Sequence, residues 1–148
     1  MQELKEIKAF LDKNIGHSDS EDLMDIKDWF QNLELAHWQN RVAFRKNNYN
    51  RISLVNSEAY DLVLICWEPG QGSSFHSHPS KGCLVKILEG RLEDELKEEG
   101  KDSQFRSHLA NDVLYITDKM GMHRVFNAQE TNATSLHLYA PGEYKPQS

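Results

Sequence analysis

Seven histidines punctuate the 148 residues: His17, His37, His76, His78, His108, His123 and His137. His76 and His78 are one residue apart. On an extended strand, side chains alternate between faces, so both imidazoles fall on one face and can converge on one metal ion. With seven histidines in 148 positions, about 0.3 such pairs arise by chance, so the pair alone also reads as two polar side chains on a wet strand face. Other residues add to the set. His137 and Tyr139 share a strand parity, as do Tyr49 and Arg51. Taken singly, each has a bland reading. Arg51 reads as a surface arginine, His137 and Tyr139 as a hydrogen-bonded core pair, and Cys83 as a small buried hydrophobe. Trp67 reads as packing and Cys66 as core. His17, His37 and His108 fit no motif and read as solvated. Only the joint pattern points to a site.

The elements that must position these residues change character along the chain. Leu4, Ile7, Phe10 and Leu11 recur at spacings of three and four, which predicts an amphipathic helix, with Lys8 and Lys13 off its apolar face. Gly16 signals its stop. Ser18 to Glu21 offer capping chemistry for a second helix with Leu23, Ile26, Trp29 and Phe30 on one face. Leu35 to Asn48 is ambiguous between a short helix and an irregular cover. From Tyr49 onward, short runs rich in Val, Ile, Leu and Tyr are split by Gly, Pro, Asn and Asp. Strands are expected near 49–55, 60–67, 73–78, 83–89, 91–97, 103–108, 113–117, 122–127 and 133–140, a pattern of sandwiches and barrels.

Composition narrows the function classes. The chain carries a formal net charge of −6 and no basic block, which argues against nucleic acid. The longest clearly apolar run, Leu62 to Trp67, is far shorter than the roughly 20 residues of a membrane span. MQELKEIKAFLDKN at the start lacks the apolar stretch of a signal peptide. Cys66 and Cys83 cannot form a disulfide framework, and neither sits in a CxxC pair. The expectation is a cytoplasmic chain of one domain over 1–148. It comprises a helical cover at 1–48, a β-barrel at 49–141 and an exposed tail at 142–148.

Two blocks sharpen the site. Gly70-(x)5-His76-x-His78-(x)4-Cys83-(x)6-Gly90 is followed by Gly121-Met122-His123-(x)3-Asn127. Together they resemble the two-part signature of the cupin superfamily, a small antiparallel β-barrel or jelly roll with a metal inside. Cys83 stands where many cupins carry a glutamate ligand. The second block lacks the usual proline, and its glycine lies one residue closer to the histidine. The resemblance therefore implies His76, His78 and His123 as metal ligands. A neutral three-imidazole face suits Fe, Zn, Cu and Ni alike.

Further blocks narrow the likeness. They are Tyr49-Asn50-Arg51, Leu64-Ile65-Cys66-Trp67, Gly72-Ser73-Ser74-Phe75-His76-Ser77-His78, Cys83-Leu84-Val85-Lys86, Gly121-Met122-His123-Arg124-Val125 and Ser135-Leu136-His137-Leu138-Tyr139-Ala140-Pro141. From Tyr49 to Pro141 the chain resembles the cysteine dioxygenase family of mononuclear iron thiol dioxygenases. The resemblance implies Fe(II) held by His76, His78 and His123, and Arg51 binding the cysteine carboxylate, with Tyr49 shaping the substrate end. It implies Tyr139 donating a hydrogen bond beside the iron, and His137 orienting that hydroxyl. It also implies a Cys83–Tyr139 thioether crosslink as in animal members, where many bacterial members carry glycine. Arg51 leans toward cysteine, because related 3-mercaptopropionate enzymes tend to carry glutamine there.

The chain departs from the family at Ser77, where aspartate is common, at Pro79 to Gly82, and at Ala140-Pro141, which replaces Ser-Pro. Longer members continue past the position of Pro141, so the pocket cover is expected to be missing, or supplied by the N-terminal helices or another chain. The expected reaction is conversion of L-cysteine and O2 to cysteine sulfinic acid. The rivals are dioxygenation of another small thiol such as 3-mercaptopropionate, or a non-redox metal-binding cupin acting as lyase, isomerase or sensor.

Overall fold

A computed structural model describes residues 1–15, 22–76, 78–117 and 120–142. Within them the chain begins with α1 (Leu4–Asn14), a 3-10 turn (Leu23–Ile26), α2 (Lys27–Asn32) and a second 3-10 turn (Trp38–Arg41). Eight strands follow: β1 (Asn50–Asn56), β2 (Asp61–Trp67), β3 (Cys83–Glu89), β4 (Arg91–Lys97), β5 (Gln104–Leu109), β6 (Val113–Ile116), β7 (Met122–Phe126) and β8 (Ala133–Tyr139). They build a five-stranded sheet in the order β1-β2-β8-β3-β6 and a three-stranded sheet in the order β5-β4-β7. All the strand pairings are antiparallel.

Strand parity sorts the large sheet into two faces. Leu62, Leu64, Leu84, Leu136 and Leu138 pack outward against Ile7, Leu11, Leu23 and Phe30 of the helical cover. Val63, Ile65, Trp67, Cys83, Val85 and Tyr139 face inward, where they meet Leu92 and Val125 of the small sheet. All seven residues of β2 and of β8 are therefore buried, because helices cover one side and the second sheet the other. In β1 a register shift between Ser53 and Val55 lets Val55 join the helical side while Tyr49 joins the inner cluster.

The cover is bolted on by polar contacts as well as apolar ones. Ile7 and Leu11 are fully buried, each contributing about 1.5–3 kcal/mol by leaving water. Phe10 stacks on Trp29 with ring centroids 3.9 Å apart. The Tyr60 hydroxyl donates to Asp12 Oδ1 at 2.8 Å. Lys86 reaches from β3 to the carbonyls of Gln31, at 2.9 Å, and Leu33, where α2 ends.

Several expectations change. Of the segment 73–78, the described residues 73–76 and 78 form no strand; Gly72 and His76 bridge to Phe126 and His123 at single points. Its Gly-Ser-Ser run has low strand propensity, and β7 is held along its length by β4. The second helical stretch splits into a 3-10 turn and α2, and its cap is Asp22, which accepts from the Met24 N–H at 2.9 Å. His17 and the Ser18 to Glu21 capping segment lie outside the described residues. Leu35 to Asn48 is a cover carrying one short 3-10 turn, and His37 is exposed as expected. His108 is not solvated: it lies in a half-buried position and its Nε2 meets Asp94 Oδ2 at 2.9 Å. The Ala140–Pro141 peptide is cis.

Candidate functional site

A small pocket, with about 20 Å³ of space that a water-sized molecule can occupy, lies between the two sheets. One wall is the inner face of the large sheet, with Arg51, Trp67, Cys83, His137 and Tyr139. The opposite wall is β7, with His123 and Val125, and the segment carrying Ser73, His76 and His78. Every site residue expected from sequence therefore borders this one space, Tyr49 included.

Local structure explains the placement. His123 and Val125 share the inward parity of β7. The 73–78 segment is held to β7 by Ser73, whose N–H donates to Val125 O at 2.8 Å and whose hydroxyl accepts from Val125 N–H at 3.0 Å. The His76 bridge to His123 then sets the imidazoles side by side. Ring centroids are 4.7 Å apart for His76 and His78, and 5.8 Å apart for His78 and His123. His76 Nδ1 lies 2.7 Å from Ser74 O, a contact that requires the proton on Nδ1 and makes Nε2 the lone-pair nitrogen. Asn127 closes the far end of β7, donating to Trp67 O at 3.2 Å and Thr131 O at 2.8 Å.

The three imidazoles are a donor set for a first-row transition metal. Among the described residues, no three His, Cys, Asp or Glu side chains are gathered tightly enough to hold an ion, so the rings border one space rather than close on one point. The chemistry of the donors, three imidazole nitrogens, fits a non-heme transition metal without choosing among iron, zinc, copper and nickel.

The sheet wall is organised by register. Cys83 lies directly opposite Tyr139, Val85 opposite His137, and Arg51 opposite Ile65. A polar chain runs along this wall. Trp67 Nε1 donates to Ser135 Oγ at 2.9 Å, and Ser135 Oγ lies 2.7 Å from His137 Nε2. His137 Nδ1 lies 3.3 Å from Tyr139 Oη, and Arg51 Nη1 donates to Tyr139 Oη at 3.4 Å. The Arg51 guanidinium also sits 5.3 Å from the Tyr139 ring centroid.

Burial decides the charge states. Burial drives His137 well below the usual histidine value, and Arg51, His76 and His78 push the same way, so its ring is neutral. Burial pushes the Cys83 thiol up, although Arg51 and a hydrogen bond from Tyr139 oppose it. The Tyr139 phenol is likewise pushed up by burial and by Cys83, against the pull of Arg51. Both therefore hold their protons at neutral pH. Among the described residues no carboxylate lines the pocket, and Arg51 is the one permanent cation there. Such a space favours an anionic or anion-bearing ligand.

Ser135 was missed as a functional candidate. Its signal was available: Ser135, His137 and Tyr139 alternate on one strand and share one face.

The sequence matches the profile of the cysteine dioxygenase type I family over residues 2–145. It is 37% identical over 117 residues to cysteine dioxygenase type 1 of Rattus norvegicus, covering 72% of this chain and 58% of that protein. It is 32% identical over 140 residues to cysteine dioxygenase type 1 of Danio rerio, covering 86% of this chain and 69% of that protein. The chain thus spans 58% of the length of the rat relative. Among solved structures, a cupin superfamily protein from Desulfitobacterium hafniense aligns with a TM-score of 0.59 at 16% identity, over 72% of this chain and 90% of that one. That likeness establishes the cupin fold.

Proposed function

From the premise that the chain belongs to the cysteine dioxygenase type I family, we propose that it is a ferrous-iron thiol dioxygenase acting on L-cysteine. The carrying observation is that three imidazoles, Arg51, Tyr139 and Cys83 border one pocket that, among the described residues, no carboxylate lines. The net reaction is RSH + O2 → RSO2H. Sulfur gains both oxygen atoms and loses four electrons, and O2 accepts those four, so no other reductant is needed.

His76, His78 and His123 hold the metal in this reading. Ferrous iron, when bound, supplies the one-electron chemistry that lets O2 react with sulfur. The chain's own residues do the rest. Arg51 binds the substrate carboxylate through paired N–H donors and so fixes the thiol end toward the imidazoles. Tyr49 packs against Trp67 with the rings tilted by 30° and centroids 4.7 Å apart, and forms the substrate end with Arg51. Tyr139 keeps its phenolic proton and offers it as a hydrogen-bond donor to the reacting atoms. Cys83, directly opposite Tyr139, is poised for a thioether link to that ring. Both cysteines are free, and a reducing cytoplasm is the setting that fits them.

The test is O2 uptake by iron-loaded protein across a thiol panel of L-cysteine, 3-mercaptopropionate and cysteamine, with sulfinate measured in parallel. The reading requires L-cysteine to give the highest kcat/KM and one sulfinate per O2. Higher kcat/KM for 3-mercaptopropionate would move the substrate; zinc in place of iron in protein expressed without added metal would point to the non-redox alternative.

A further inference from the structure

The polar chain on the sheet wall has a direction, and Trp67 sets it. An indole N–H can only donate. Trp67 Nε1 donates to Ser135 Oγ at 2.9 Å. Ser135 is fully buried, and its hydroxyl proton must go to an acceptor or remain buried without one, at a cost. Among the described residues, the remaining partner of Ser135 Oγ is His137 Nε2, at 2.7 Å. If His137 carried its proton on Nε2, Ser135 would face two donors and its own proton would have no acceptor. Nε2 must therefore accept, and a neutral ring then carries its proton on Nδ1. Nδ1–H points at Tyr139 Oη, 3.3 Å away, and Arg51 Nη1 donates to the same oxygen. The phenol oxygen is thus occupied as an acceptor from two sides, which leaves its O–H to donate toward Cys83, its hydrogen-bond partner on the pocket wall.

We infer that Trp67 is a positioning residue: its indole N–H fixes the polarity of the Ser135–His137–Tyr139 relay and so aims the Tyr139 proton away from His137, toward Cys83 at the pocket wall. This rests on the proposed thiol dioxygenase reading for its consequence in turnover, but not for its effect on the relay. Trp67 also packs beside Tyr49 and in the inner core, so removing the whole ring would mix packing with proton polarity. The clean perturbation replaces Trp67 with 3-benzothienylalanine, which keeps the bicyclic shape and lacks the N–H. Trp67→Phe serves as the encoded counterpart, and Ser135→Ala breaks the next step without touching the aromatic packing.

The first readout is the tautomer of His137, from long-range proton–nitrogen correlation NMR of the metal-free 15N-labelled chain, with the signal assigned by its loss in His137→Gln. The wild-type ring should be the Nδ1–H tautomer. Benzothienylalanine at position 67 should shift the tautomer ratio toward Nε2–H by about five-fold, the weight of roughly one net hydrogen bond. Ser135→Ala should shift it in the same direction. The second readout is turnover of the iron-loaded protein. There kcat should fall about five-fold while KM for cysteine stays within about two-fold, since Arg51 is unaltered. An Nε2–H ring in the wild-type chain would overturn the inference whatever the variants do. So would a tautomer ratio unchanged by the benzothienyl replacement. Absence of cysteine turnover in wild type would instead strike the proposed function and leave the tautomer result standing.

Discussion

Arg51→Ala isolates the recognition of the substrate carboxylate. Arg51 projects inward from β1, half-buried, with its guanidinium above the Tyr139 ring. Among the described residues no other permanent cation lines the pocket to replace it. A hydrogen bond to a charged group contributes about 1.5–3 kcal/mol. Partial exposure of Arg51 to water lowers the useful part of a paired contact to about 2 kcal/mol. At 1.4 kcal/mol per decade, that is about a 30-fold rise in KM for L-cysteine. The three imidazoles lie on β7 and the 73–78 segment, so iron content should match wild type. Cysteamine, which lacks the carboxylate, supplies the control: its KM should change by less than about two-fold. The assay is initial-rate sulfinate formation against thiol concentration, with iron measured in the same samples. An unchanged KM for cysteine, or an equal loss for both thiols, would refute the role.

His123→Ala should lower affinity for Fe(II) by more than the roughly 10–100-fold typical of losing a partner behind a ligand; anaerobic calorimetry reads this, and full retention removes His123 from the ligand set. Asp94→Asn tests a buried ion cluster. Asp94 takes Arg106 at 3.2 and 2.8 Å and His108 at 2.9 Å. Burial alone would raise its carboxyl, but hydrogen bonds from His108 and Arg106 outweigh that and hold it below the usual range. Its stabilisation is therefore fully present above the ordinary carboxylate value and fades as pH falls through the lower folded value. The variant should lose about 2 kcal/mol at pH 7, because Arg106 keeps part of its hydration, and the gap should shrink below about pH 4. A pH-independent gap in urea unfolding would contradict this. In Gly82→Ala, φ is +95° and the new Cβ would lie 2.8 Å from the Tyr115 ring. The cost should be about 1–3 kcal/mol. Displacement of Cys83 should also reduce thioether formation with Tyr139, read as a smaller fraction of chains lacking two hydrogens by mass spectrometry.

Parity made much of the wall legible in advance. Tyr49, just before β1, alternates with Arg51 on it, as His137 does with Tyr139 on β8, and all four do face one space. His76 and His78 meet His123 although the described residues of their segment form no strand, because two single-point bridges to β7 do the work of a ladder. What stayed hidden depended on which strands become neighbours. Asp94 sits at an inward position among Leu92 and Leu96, where only its cross-strand partner Arg106 and nearby His108 make a carboxylate tolerable. Periodicity names the face of a residue, not the strand opposite it, so His108 read as solvated. Lys86 is a similar case: it lies on a buried strand, and the α2 carbonyls that satisfy it are more than fifty residues away in sequence.

The most direct test of the central claim uses isotopically labelled dioxygen. The iron-loaded chain, prepared without air, receives L-cysteine and 18O2, and the product is weighed by mass spectrometry. A dioxygenase predicts cysteine sulfinic acid four mass units above the unlabelled product, formed in step with O2 consumed. A product carrying one label or none, or no sulfinate from protein with iron bound, would contradict it.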